Sequence, residues 1–267
     1  MSALVAALPM YDWPEVRAET DAHWARLRVC LAERGIDAPV HLVRRNADLP
    51  AVLGGIRGPD GQLLAPDPAT LPPDELDLRA LWLHPSLLFA QCCWGPLELG
   101  LAEHVQVVGQ PSYDGFEGGE GTLYSSAILM REAEGSVKAP AGGIAFISVD
   151  LLRGRRLAYN EPHSLSGLLA LQRDLEAMGE GLSIFAERIE TGSHRASLAA
   201  VAEGRADVCA VDCRAWALAR RFEPAAARLT VVGWTRRRLG LPYITAKNTA
   251  PERFLLLQRA LCVALQS

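Results

Sequence analysis

Short apolar runs alternate with amphipathic stretches along almost the whole chain. "ALVAAL", Ala3 to Leu8, reads as a buried strand, and Pro14 to Arg34 as a helix with proline in its first turn and Gly35 just past its end. Val40–Val43 predicts a second strand, whereas residues 57–77, rich in Pro, Gly and Asp, predict a long surface loop. Further strands are expected at Leu87–Gln91, at Val105–Val108, from Leu123, at Arg156–Tyr159 and at Ser183–Ile189. "ADVCAVD" and "LTVVGWT" read as strands too, and "LPYIT" as a short extended segment. Helices are expected from Pro96, from Ser166, from Ser193 to Glu203, from Arg214 and from Pro251, where Leu255, Leu256, Leu261, Ala264 and Leu265 share a face. Such alternation predicts an α/β protein, and the lack of a fixed-period repeat argues against a solenoid.

Composition narrows the function classes. The 267 residues suffice for one large α/β domain or two lobes of about a hundred residues each. A net charge of −4 offers no basic field for nucleic acid, and Arg236–Arg238, without interleaved aromatics, reads as a solvated turn. No apolar stretch approaches the roughly 20 residues of a membrane span. The first apolar run follows no basic residue and is cut by Pro9, so it reads as a strand and not a signal peptide. The expected location is the cytoplasm, or the periplasm if a leader has been removed. Six cysteines form no CxxC pair or zinc-ligand spacing, and neither GxGxxG after a strand nor GxxxxGK[ST] occurs; no metal and no cofactor is expected.

Candidate chemistry sits where open α/β sheets place ligands, at strand C-termini and helix N-termini. Tyr11 follows the first strand, where its ring could line a cleft or simply pack a helix start. Gln91 and Cys92 end another strand, with a hydrogen-bonding task for the glutamine that is either structural or functional. Tyr124, Ser125 and Ser126 place three hydroxyls in an apolar strand, with Tyr124 and Ser126 on one side. In "YNEPHSLSG", Ser164 is an N-cap, and Ser166 and Gly167 occupy a first turn whose backbone N–H groups lack intrahelical partners. No carboxylate lies between Glu161 and Asp174, so this mouth suits an anion or a well-capped helix. "TGSHRAS" repeats the arrangement, with Ser193 as cap and His194 facing Ser197. Asp212 leaves the end of "ADVCAVD" to meet a cationic group or to cap the next helix.

The order Tyr124-Ser125-Ser126, Asn160 with Ser164, Ser166 and Gly167, Ser193-His194 with Ser197, and Gly204 through Asp212 resembles the phosphate/phosphonate-type ABC-transporter substrate-binding proteins. "QCCWGPL" and "LPYIT" are similar to the corresponding segments of leaderless members. The resemblance covers most of Leu87–Thr245. It implies the two-lobed type II periplasmic-binding-protein fold, with a ligand cleft between lobes joined by crossings near Pro111 and Arg236. Lobe 1 would then hold residues 1–110 and 236–267, and lobe 2 residues 111–235. The implied partners are a small phosphonate- or phosphate-like anion and an ABC-transporter permease. Cys92 stands where members usually carry a hydroxyl, Trp94-Gly95 replaces glycine then aromatic, and Arg195 replaces an acidic residue. The last change argues against an aminoalkylphosphonate. Two other readings stay open: an enzyme on the same fold acting on a small anionic metabolite, with Cys92 as a possible nucleophile, and a sensor domain.

Overall fold

Four apolar runs meet in one sheet, in the order Val5–Ala7, Leu87–Gln91, Tyr243–Ala246, Val105–Gly109. The computed structural model describes residues 4–132 and 138–266. Val5–Ala7 lies parallel to Leu87–Gln91, and Tyr243–Ala246 runs against both its neighbours. The helix Arg17–Ala32 buries Trp24, Leu27 and Leu31 on this sheet's core beside Leu257, Ala260 and Leu261 of the helix Pro251–Gln266. Phe89 stacks between Trp24 and Tyr243, with ring centroids 6.2 and 4.9 Å apart. These elements belong to a compact unit made of the chain up to Cys92, Pro96–Pro111 and the chain from Leu241.

The second unit, Cys93–Gly95 with Ser112–Gly240, has its own five-stranded sheet. The order is Glu187–Glu190, Arg156–Tyr159, Val208–Asp212, Ser126–Arg131, Leu229–Trp234. The first three strands are mutually parallel, and Ser126–Arg131 runs against both its neighbours. Leu157, Val208, Ile128 and Met130 pack against Leu168, Leu171 and Leu175 of a continuous helical segment, Leu165–Glu176. At the far end of the sheet, Asp207 accepts from the side chains of Arg156 (2.7 Å) and Arg131 (3.3 Å).

Several expected elements are corrected. Val40–Val43 is not a strand; it reaches the first strand through a single bond, Val43 N–H to Ala6 O, too few for a ladder. The first strand is described from Val5, and Ala3 lies outside the described residues. Residues 57–77 are not all loop, since Ile56–Arg57 and Leu63–Ala65 form a small hairpin. The strand from Leu123 breaks at Ser125, whose N–H turns to Gly118 O at 2.8 Å. The run at Ser183 begins as a 3₁₀ turn, Leu182–Ile184, and pairs only from Glu187. Of Arg236–Arg238, Arg236 and Arg237 are exposed as expected, but Arg238 is half-buried, opens the short strand Arg238–Leu239 and pairs with buried Asp174 at 2.6 Å. No helix among the described residues is long and apolar enough to cross a membrane.

Candidate binding site

The site is set by strand direction. Tyr159 pairs with Glu190, and Asp212 pairs with Ser126, so the carboxyl ends of three parallel strands and the amino end of their antiparallel neighbour share one sheet edge. The segments leaving that edge carry Asn160, Ser193-His194, Asp212 and Tyr124–Ser126. This is where an α/β sheet leaves backbone groups unclaimed by the ladder.

The helix after Asn160 opens unusually. Ser164 caps it by accepting from Gly167 N–H at 3.1 Å, and the first turn, Leu165–Leu169, is π-helical before the α-helix Ala170–Glu176. π-Turns of this kind cluster at functional positions. The first turn holds no acidic residue, and Ser166 and Gly167 are buried in it. Glycine is required at 167, because a Cβ there would overlap Asn160 Oδ1. Cys93 closes the mouth from behind, its Sγ accepting from Leu165 N–H at 3.5 Å. Burial pushes the Cys93 thiol above its ordinary pKa. The reversed Trp94-Gly95 order has a local cause: a Cβ on Gly95 would collide with the His163 carbonyl, while Trp94 Nε1–H donates to Gly240 O at 2.7 Å.

The second mouth faces the first. Ser193 caps the helix His194–Ala202 by accepting from Ala196 N–H at 3.1 Å. His194 Nε2 lies 2.9 Å from Ser166 Oγ and 3.6 Å from Asp212 Oδ2. Asp212 also caps the next helix, with Oδ1 accepting from Arg214 N–H and Ala215 N–H at 3.1 and 2.9 Å. Burial lowers the pKa of His194, and the Asp212 charge opposes that only in part, so the imidazole is neutral near pH 7. Ser166, His194 and Asp212 are not a catalytic triad, since serine and carboxylate both address the same ring nitrogen. Ser197 does not meet His194; its hydroxyl is 2.7 Å from Thr191 Oγ1. Arg195 pairs with Glu223, so its charge is locally balanced and gives no guide to ligand charge.

Five buried polar atoms gather at this edge with no hydrogen-bond partner: Tyr124 Oη, Ser125 Oγ, Ser126 Oγ, Asn160 Oδ1 and His194 Nδ1. Each such atom costs about 1–3 kcal/mol if nothing satisfies it. Buried polar atoms of this kind are completed by ordered water or by a ligand. Burial, then the neighbouring Cys93 and Asp212, push the Tyr124 phenol well above its ordinary pKa, so it remains a donor. Ser166 lies near enough to Tyr124 to soften that shift slightly, but no hydrogen bond of acceptable geometry joins them. Sequence reasoning missed Cys93 and Thr235, whose hydroxyl accepts from Ser126 N–H at 2.8 Å. A buried threonine directly after an apolar strand was the available signal.

Nine expected residues thus fall in this unit: Tyr124, Ser125, Ser126, Asn160, Ser164, Ser166, Gly167, His194 and Asp212. Tyr11, Gln91 and Cys92 belong to the other unit, at the carboxyl ends of its two adjacent parallel strands. Tyr11 is buried in the turn Pro9–Tyr11, beside an Asp12–Arg44 ion pair of 2.6 Å that the sequence did not suggest. The backbone carbonyl of Gln91 accepts from Trp82 Nε1–H, and Cys92 N–H donates to Pro242 O, both at 2.8 Å.

Residues 99–264 match the family "ABC transporter, phosphonate, periplasmic substrate-binding protein". No curated protein matches the sequence. Among solved structures, PhnD1 from Prochlorococcus marinus (MIT 9301) in complex with methylphosphonate superposes with a TM-score of 0.62 at 13% identity, covering 98% of this chain and 83% of that one. XAC2383 from Xanthomonas citri, bound to ATP, gives 0.58 at 16% identity over 98% and 82%. A binding protein component of an ABC phosphonate transporter from Pseudomonas aeruginosa gives 0.57 at 14% identity over 97% and 73%. Identities this low establish the fold alone: two α/β lobes of the type II periplasmic-binding-protein class.

Proposed function

The chain belongs to the family of phosphonate-type ABC-transporter periplasmic substrate-binding proteins, and we propose that it binds a small phosphonate- or phosphate-like anion for delivery to the permease of such a transporter, on the periplasmic side. The observation that carries this reading is the group of buried, partnerless hydroxyls of Tyr124, Ser125 and Ser126 beside two capped helix mouths. Hydroxyls and backbone N–H groups hold an oxyanion without a cationic side chain, and the helix dipoles favour negative charge there. Tyr11, Gln91 and Cys92 complete the proposed binding set. The methylphosphonate held by the Prochlorococcus marinus protein supports the same ligand class. The enzyme reading finds less support, because no nucleophile–base–orienter geometry exists at Ser166, His194 and Asp212.

Isothermal titration of the protein with methylphosphonate, phosphite and phosphate tests the proposal. Ser166→Ala removes a hydroxyl from the mouth and the partner of His194 Nε2. With charge-assisted bonds contributing about 1.5–3 kcal/mol each, its affinity should fall by about tenfold or more. A folded protein that takes up none of these anions would overturn the proposal.

A further inference from the structure

We propose that Asp174 and Arg238 are positioning residues for the anion site: their buried ion pair fixes the strand Arg238–Leu239 against Leu123–Tyr124 and so holds the Tyr124 hydroxyl where a ligand needs it. This rests on the anion reading above and adds two residues that act through Tyr124.

The Tyr124 hydroxyl is buried and has no hydrogen-bond partner, so no bond of its own fixes its place. Two other contacts do. Its ring packs on Tyr113, with centroids 5.4 Å apart, and its backbone lies between two short strands, opposite Gly119 on one side and Arg238 on the other. Tyr113 is fully buried and is itself wedged: a Cβ on Gly240 would overlap its ring, and one on Gly119 its carbonyl oxygen. The ladder between Leu123–Tyr124 and Arg238–Leu239 is only two residues long, and so short a pairing does not set its own register. It also lies at the end of its unit, which the chain leaves after Gly240.

Asp174 supplies the missing anchor. It belongs to the helix Ala170–Glu176, which continues the turn carrying Ser166 and Gly167. Its carboxylate is almost wholly buried and accepts from Arg238 Nη2 at 2.6 Å and from Arg236 N–H at 2.7 Å. Arg238 Nη1 donates to Arg236 O at 2.8 Å, which closes a ring of bonds over Arg236–Arg238. At the other end of the short strand, Gly240 N–H donates to Thr122 O at 2.8 Å. A buried ion pair adds little net stability over a well-packed apolar pair, and its best-attested use is to fix register. Here it registers the helix that carries Ser166 with the strand that places Tyr124, two ligand donors from segments far apart along the chain.

The test is a thermodynamic cycle on methylphosphonate affinity, measured by titration calorimetry on the full chain. Tyr124→Phe, which removes only the hydroxyl, should weaken binding by about tenfold. Asp174→Leu combined with Arg238→Met removes the pair without stranding one buried charge, and should weaken binding to a similar extent. All three substitutions together should bind no more than about twofold worse than either set alone, because the pair acts through the hydroxyl that Tyr124→Phe removes. A role in stability alone leaves affinity unchanged when the pair is replaced, and an independent role makes the losses multiply to about a hundredfold. Either result would overturn the inference. Unchanged affinity in Tyr124→Phe would overturn it too, with the anion site left standing. Absence of binding of methylphosphonate, phosphite and phosphate to the folded wild type would instead overturn the anion reading and this inference with it. If the paired replacement fails to fold, Asp174→Asn, which keeps the size and an acceptor for Arg236 N–H, takes its place in the same cycle. Coupling is also reciprocal, so in the wild type saturating methylphosphonate should slow hydrogen exchange at the Arg236 and Gly240 amides by about tenfold. Equal exchange with and without it would overturn the inference.

Discussion

At the scale of single residues, cysteine chemistry separates the readings most cleanly. The adjacent Cys92 and Cys93 are both buried, and Cys93 spends its sulfur on the helix mouth. Burial pushes the Cys209 and Cys213 thiols to about 12. A thiol needs its thiolate to attack, so Cys93, Cys209 and Cys213 are inert near neutral pH, and Cys92 is shielded by its burial. Brief treatment of the folded protein with iodoacetamide should therefore label exposed Cys262 first and leave Cys92 and Cys93 unmodified, as read by peptide mass spectrometry. Rapid alkylation of Cys92 would revive the nucleophile reading. The sequence showed which residue types lay at the mouths because caps and glycines have short-range signatures, as at Ser164, Ser193 and Gly167. It could not show that Asp212 both caps a helix and faces His194, or that Arg195 is balanced by Glu223, because those pairings join segments distant along the chain.

Elements were legible to the degree that their forces are local. The strand at Arg156–Tyr159 and the helix from Pro251 stand where expected, but the buried face of that helix runs through Leu257, Ala260, Leu261 and Ala264, whereas Leu255 and Leu265 of the expected face are exposed. Val40–Val43 failed because its partner supplies one bond, and the Leu123 strand broke because Gly118 O captures the Ser125 N–H; neither cause is visible in periodicity. The π-turn after Ser164 was equally hidden. A non-local charge cluster also anchors the sheet of the second unit. Arg156 above all, then Arg131, hold the Asp207 carboxyl well below the usual carboxylate range. A depressed folded-state pKa contributes stability above the unfolded-state value and loses it as pH falls towards the folded one. Asp207→Asn should thus destabilise the protein by about 2 kcal/mol at neutral pH, the worth of hydrogen bonds to a charged group. The gap from wild type should close progressively below about pH 4, where unfolded aspartates protonate. Urea denaturation at a series of pH values measures it; a gap that widens on acidification would contradict the cluster's role.

For the whole molecule, the ion cluster and the proposed binding site lie at opposite ends of the same sheet. Asp207 precedes the strand Val208–Asp212, whose far end carries the site, so about 16 Å of strand separates the ion cluster from the ligand groups. Effects of changes that far apart, with no shared partner, should add. A ligand that binds only folded protein stabilises it by mass action, about 2.7 kcal/mol at a hundredfold excess over Kd. For a domain of this size each kcal/mol raises Tm by about 2–4 °C, so saturating methylphosphonate should raise it by roughly 5–10 °C. In Asp207→Asn the starting Tm should be lower and the ligand-induced rise unchanged. In Ser166→Ala the starting Tm should fall by a few degrees, because His194 Nε2 loses its partner, and in addition the rise at the same methylphosphonate concentration should shrink by about 1.4 kcal/mol, the equivalent of tenfold in affinity. Scanning calorimetry of the three proteins with and without methylphosphonate distinguishes these patterns. An equal loss of the ligand increment in both variants would mean that the ion cluster and the helix mouths are coupled, and that the far end of the sheet takes part in recognition.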